Sequence, residues 1–490
     1  MQIVKKYREY ILVSFIIVLA VLTSISQTLL YLFQTPSGHT FLFAHNFLED
    51  YYYYLHLMRQ GWEGYWLATS WMTPEKFLPA FVNTWFLFLG HLAKFLNVSL
   101  PLMYFFSRIA GGVTLLLLSY VLIQKIFSNS LIKRIVALLF VSFSTYWWGW
   151  SNGGPTVAPL VHQWTELDPL FRTSFVPHHL WAKVFMVAAF FLILRRKTFF
   201  LLALVFFMGL TNPVVYVTYL PIILLWRTRW HFIAISFFVA GAIGLYDHYL
   251  ELHIFPWSSY LPWEQTVRYP VSLVAYLQSL GPTFPLFLVA LGWLWKKGSV
   301  GRLLIAWVAV GFLNIFVVSK FVTLSNSRYL GGYQFIPLAI GAVEGIWRFA
   351  RPVFRATLAF LLLGYFSVGL WASWKEHVGY VEQNKNNIQI YVPNDLLDAF
   401  RFIENNTPKD AVIAAPYEIS TMIPALTGRR VVAGHQLMTY QAQTKRIELE
   451  KILSGQMKKY NTTYVLIPIT SSSAQNVVFQ NASYTVFAYR

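Results

Sequence analysis

The chain reads as a polytopic α-helical membrane protein with an α/β domain at its C-terminal end. Composition carries the first half of that reading. Of 490 residues, 57% are hydrophobic and only 12% charged, and mean hydropathy is +0.50. Soluble domains do not combine that length with so little charge. The second half rests on a change near residue 377, where long apolar runs give way to short strands alternating with amphipathic helices. The net charge of +18 does not signal nucleic acid, because the basic residues fall between apolar runs, as the positive-inside rule requires. The chain has no cysteine, so disulfides and thiolate metal sites are excluded.

Taken in order, Lys5, Lys6 and Arg8 precede an apolar run at 11–33. It is too long for a signal-peptide core and lacks a small-residue cleavage site, so a retained first helix is expected. Further spans are expected at 102–124, 132–149, 181–195, 198–210, 213–226, 231–249, 271–295, 303–321, 333–350 and 356–376, about 11 in all by length. Basic clusters stand at Lys5/Lys6/Arg8, Lys125/Lys133/Arg134, Arg195/Arg196/Lys197, Arg227/Arg229, Lys296/Lys297/Arg302 and Arg348/Arg351/Arg355. All should be cytoplasmic. That leaves 34–101, 150–180, 250–270, 322–332 and the tail outside the cell.

Two segments need separate treatment. Residues 77–97 are apolar, but Pro79, Asn83, His91 and Lys94 suit an interfacial helix better than a span. Residues 198–226 must cross twice in too short a length. Thr211–Asn212–Pro213 should break them into a two-helix hairpin, with a single Pro-kinked helix as the alternative. In the tail, helices are expected at 395–405 and 444–453. Strands are expected at 411–415, 431–433 and 464–468, with a turn at 424–430 and a closing hairpin from 477–479 and 484–489. The domains are then 1–376 and 377–490.

Chemistry concentrates in the outer loops. His45–Asn46–Phe47–Leu48–Glu49–Asp50–Tyr51 sets two carboxylates just after the first span, where charge is costly and usually functional. On a helix over 48–60, Asp50 shares a face with Tyr53 and Tyr54. A carboxylate against aromatics could act as a general base or hold a divalent cation. Tyr51 to Tyr54 are read mostly as interfacial belt. The second loop carries Asp168, Arg172, His178, His179 and Lys183. Pro177–His178–His179 opens a helix whose free N–H groups favour an anion, and Arg172 and Lys183 suit a phosphate. The histidine pair is read as a metal ligand or as structural capping. Arg328 is a lone external arginine in Ser325–Asn326–Ser327–Arg328, a phosphate contact or a simple stop signal.

These features together resemble the GT-C glycosyltransferases. The resemblance rests on Glu49–Asp50 in the first outer loop, then Tyr54–Leu55, Gln60–Gly61 and Gly64–Tyr65–Trp66–Leu67, a run seen in bacterial members. Thr73–Pro74–Glu75–Lys76, Leu89–Gly90 and Ser107–Arg108 are similar too, as are the tail segments 423–429 and Gly434–His435. A Pro-Pro common after Glu-Lys is replaced by Phe77–Leu78–Pro79, which leaves Glu75 a supporting candidate only. The resemblance implies a multi-pass cell-membrane enzyme transferring a sugar, with inversion, from a polyprenyl-phosphate-linked donor. The acceptor would be a saccharide, lipid or protein on the outer face. Asp50, with Glu49, would be base or metal ligand (Mg or Mn in members that use one). Arg172, Lys183 and Arg328 would contact the donor phosphate, with His178, His179 and Asp168 in support. The rival classes are a polysaccharide polymerase or ligase, and a transporter of lipid-linked saccharides. A transporter would call for mid-span charges and paired halves. Glu344 is the main charge within a span, and no internal repeat is visible.

Overall fold

The computed structural model describes residues 2–163, 165–322, 324–457, 459, 462–469 and 476–488. It divides into two compact units. One comprises 1–27, 108–245 and 264–379, the other 28–107, 246–263 and 380–490.

The first unit is helical. Among the described residues of the whole chain, six helices are long and apolar enough to cross a membrane, or up to eight if each of two bent pairs is one span. One bent pair is Thr198–Thr211 with Pro213–Leu225, turned by 119°. The break falls where Asn212 caps the next turn by accepting from the Val214 N–H, as expected from Asn-Pro. The other is Leu273–Leu280 with Thr283–Lys296, bent by 82°, where a single span was expected over 271–295. Gly281 explains that difference. Its φ is +67° and its ψ −169°, a region essentially reserved for glycine, and a Cβ there would strike the Thr145 carbonyl. The spans expected at 132–149 and 333–350 are the shorter helices Leu131–Phe143 and Phe335–Phe349. After the first of these comes a small antiparallel hairpin, Gly149–Ser151 with Gly154–Thr156.

Ion pairs tie one end of this unit together. Arg134 bonds Glu9 at 2.7 Å, and Glu344 receives Lys133 at 2.6 Å and Arg348 at 2.9 Å. The charge of Glu344 is thus neutralised by two cations rather than set apart for transport. This is the usual solution for a carboxylate in an apolar helix.

The second unit joins the first outer loop to the C-terminal segment. Strand His39–Phe41 pairs antiparallel with Tyr391–Pro393, a long-range pairing with no local signature in sequence. Helix Leu48–Glu63 crosses helix Thr84–Leu96 closely. Cβ atoms at Gly61 and Gly90 would collide with the backbone carbonyls of Leu87 and Met58 respectively. At 13 residues, helix Thr84–Leu96 is only ~20 Å long, well short of a span.

The tail builds a five-stranded mixed sheet ordered Arg430–Val431, Val412–Ala414, Thr462–Pro468, Tyr484–Ala488, Val477–Gln480. The first three strands are parallel and the last two complete antiparallel pairs. The helices Asn394–Asn406 and Ala442–Leu453 fall where their periodicity predicts. The turn expected at 424–430 is instead the end of helix Tyr417–Thr427, which contains Pro424 and closes on Gly428 at φ +70°. Tyr489, expected in the last strand, lies outside the described residues.

Candidate functional site

Asp50 and Glu49 occupy the first turn of helix Leu48–Glu63, where the helix dipole favours anions. The chain enters through Asn46 and Phe47, both at positive φ (35° and 37°), an uncommon conformation for non-glycine residues. The tyrosines that follow are core, which corrects the reading of them as an interfacial belt. Tyr51, Tyr52 and Tyr53 are at most 4% exposed, because each hydroxyl finds an interior partner. Tyr51 donates to the Leu42 carbonyl and Tyr52 to the Gln389 carbonyl at 2.6 Å. Tyr53 accepts from the Asn83 amide at 3.0 Å. Tyr54 stacks on Phe86 at 4.4 Å.

Asp50 Oδ1 lies 2.9 Å from His435 Nε2. The Leu437 N–H donates to His435 Nδ1 at 3.1 Å, so Nδ1 is the acceptor. Hydrogen bonding then assigns the ring proton to Nε2, which donates to the carboxylate. His435 is 7% exposed in its side chain and Asp50 45%. Asp50 Oδ2 has no protein partner among the described residues. The pair is therefore polarised, with an imidazole inside and an open carboxylate oxygen outside. Tyr53 flanks it, its ring 5.6 Å from that of His435.

Glu49 faces other partners. It accepts from the Tyr417 hydroxyl at 3.1 Å and from the Gln436 N–H at 3.4 Å, with Arg446 at 3.9 Å. Arg446 stacks over Tyr417 at 3.8 Å. Glu75 bonds Lys445 and Thr73. Burial raises its carboxyl, but those two donors outweigh it and hold the group below its ordinary value. Arg430 pins the same loop through the carbonyls of Ser70 (2.9 Å), Thr73 (3.3 Å) and Glu75 (2.7 Å). Behind the loop, His56 Nε2 faces the Gln60 amide (2.8 Å) and accepts from the Trp71 N–H (3.2 Å). Burial pushes its pKa down to about 3, so it stays neutral.

Sequence reasoning quoted His435 but gave it no role. Its place supplied a signal: it follows the parallel strand Arg430–Val431 in a strand-to-helix connection, the end of such sheets where ligands bind. Gly434 sets its position by donating to the Met72 carbonyl at 3.0 Å.

The remaining candidates belong to the other unit. Asp168 bonds His377 at 2.8 Å and accepts from the Leu170 N–H at 2.9 Å. Burial raises its carboxyl, but His377, with the Leu170 N–H and Ser373, outweighs this and keeps it low. Arg172 donates to Ser144 and lies 4.7 Å over the Phe335 ring. Burial pushes its pKa down to about 10. Its Nε, the Tyr333 hydroxyl and the Gln334 amide nitrogen are buried without a protein partner among the described residues. Arg172, Tyr333 and Gln334 line a pocket with room for about one water. Lys183 lies 5.8 Å over Tyr333. Arg328 is bonded to buried Glu264. The rings of His178 and His179 are 4.3 Å apart in the first turn of helix Pro177–Leu194.

Among the described residues no three of His, Cys, Asp and Glu converge. Asp50 and Glu49 turn to different partners, and His435 Nδ1 is already an acceptor.

No family model matches the chain, and none of the curated proteins does. Among solved structures, the archaeal oligosaccharyltransferase AglB from Archaeoglobus fulgidus, in complex with an inhibitory peptide and a dolichol-phosphate, is similar. The TM-score is 0.51 at 12% identity, over 95% of this chain and 70% of that one. The chain shares the fold of that protein.

Proposed function

We propose that the protein is a membrane glycosyltransferase that moves a sugar from a polyprenyl-phosphate-linked donor to an acceptor. The observation that carries this reading is the Asp50–His435 pair, with one carboxylate oxygen open to solvent and the other held by a buried imidazole. The likeness in fold to an oligosaccharyltransferase supports the class of reaction. Asp50 Oδ2 takes a proton from the acceptor nucleophile as that atom attacks the sugar's anomeric carbon. The bond from that carbon to the phosphate oxygen breaks, and polyprenyl phosphate leaves with the electron pair. His435 is a positioning residue. Its N–H fixes the carboxylate's orientation, which is where much of a general base's efficiency arises. Glu49 holds the Tyr417–Arg446 side of the same surface. No step is routed through a metal.

That Arg172, Lys183 and Arg328 neutralise the leaving phosphate is a separate proposal, tested by donor affinity alone. For the main reading, the purified chain is given a sugar-charged polyprenyl phosphate and released polyprenyl phosphate is measured, with and without added Mg²⁺ or Mn²⁺. Release that depends on Asp50 supports the reading. Release at the same rate from the Asp50→Asn variant removes it.

A further inference from the structure

The first unit carries a groove of about 550 Å³ whose walls are wholly apolar. Leu118 and Val121 of helix Leu100–Ile126 form one wall, Ala188 of helix Pro177–Leu194 the next, and Phe200 and Phe207 of helix Thr198–Thr211 the third. Two of these helices qualify as membrane spans, and the third belongs to a bent pair that does. The groove is open along one side. From Phe200 to Phe207 it runs ~10 Å, about the length of half an acyl chain. Arg195 lines it. With no polar surface in the groove, the arginine contributes its aliphatic stem and carries its charge to the mouth. Arg196 and Lys197 follow, exposed. None of the three has an ion-pair partner among the described residues.

An apolar slot between membrane helices, lined by Arg195 and followed in the chain by two more exposed cations without an ion-pair partner among the described residues, is complementary to one class of molecule. We infer that it binds an anionic phospholipid, with an acyl chain in the groove and the phosphate at Arg195–Arg196–Lys197. Neutral lipid would fill the slot equally well, so the cations supply the discrimination. Each basic residue at a membrane surface favours an anionic headgroup about fivefold. The site is independent of the reaction proposed above, and uses none of its residues.

The test is native mass spectrometry of the full chain in detergent, titrated with phosphatidylglycerol and, separately, with phosphatidylcholine of the same chain length. Wild type should retain phosphatidylglycerol preferentially. The double variant R196A/K197A, at exposed cations that do not line the groove, should lower that retention on the order of 25-fold and leave phosphatidylcholine unchanged. Ala203→Trp, at a groove residue exposed on the surface, should block both lipids by filling the slot. Equal retention of the two lipids by wild type overturns the proposal. So does preferential retention that survives both sets of substitutions. Titration with polyprenyl phosphate separates the remaining outcome: if that lipid alone is retained, the groove belongs to the donor and the phospholipid assignment is wrong.

Discussion

Replacing Asp50 by Asn conserves shape and the acceptor for His435 while removing the basic oxygen. Turnover should fall on the order of 10²-fold or more, with unchanged thermal stability. Glu49→Gln should cost less, since Glu49 already spends its oxygens on Tyr417 and Gln436. His435 separates positioning from mere support. His435→Ala should lower kcat about tenfold with little change in KM, and His435→Gln, which restores a donor, should recover part of it. A KM effect without a kcat effect would take His435 out of the reaction. His56 gives a pH prediction. Its folded pKa, near 3, lies below the unfolded value of about 6.5. The unfolded chain therefore binds an extra proton between those values, and stability falls as pH drops through 6.5 toward 3. His56→Gln should flatten the acid side of the stability profile in that window while leaving neutral behaviour little changed. An identical acid slope in the variant would mean His56 titrates normally.

At the scale of elements, the crossing of helices Leu48–Glu63 and Thr84–Leu96 is set by Gly61 and Gly90. Each approaches a carbonyl of the other helix, and neither backbone can retreat cheaply. Gly90→Ala should cost on the order of 1–3 kcal/mol, the usual range for overpacking. It would be read as a lowered melting temperature with reduced activity, because the helix that Gly90 packs against carries Asp50. A melting temperature within experimental error of wild type would show that the crossing is looser than drawn. The helices were legible because their signals are local. An apolar period, Asn-Pro at 212–213 and Pro177 at a helix start all act within one turn. The break at Gly281–Pro282 carried an equally local signal, but a long apolar run on either side masked it. His435 was hidden for a different reason. Its role needs Gly434 paired with Met72 and a helix that starts some 385 residues earlier, and no window of sequence contains both. The tyrosines misled because a buried tyrosine and a belt tyrosine have the same local pattern. Only their hydroxyl partners, which are remote, distinguish them.

At the scale of the whole molecule, the basic clusters bear on orientation. Glu9 with Arg134, and Glu344 with Lys133 and Arg348, bring three of the segments expected on the cytoplasmic side to one end of the first unit. These segments then share one face of the membrane, whichever face it is, and the charge bias selects the cytoplasm. The tail, with its sheet and His435, should lie on the opposite face. The chain has no cysteine, so single cysteines report position without background. Ser128 stands exposed beside the Lys125–Arg134 cluster, and Ser454 is exposed after helix Ala442–Leu453. On intact cells, a membrane-impermeant thiol reagent should label Ser454→Cys and spare Ser128→Cys. Permeabilised cells should show both labelled, which controls for burial. Labelling of position 128 on intact cells would reverse the bundle and place the basic clusters outside, against the charge rule. Protection of position 454 would put His435, and with it Asp50, in the cytoplasm. The acceptor would then have to be cytoplasmic too, and the transfer would take place on the inner face of the membrane.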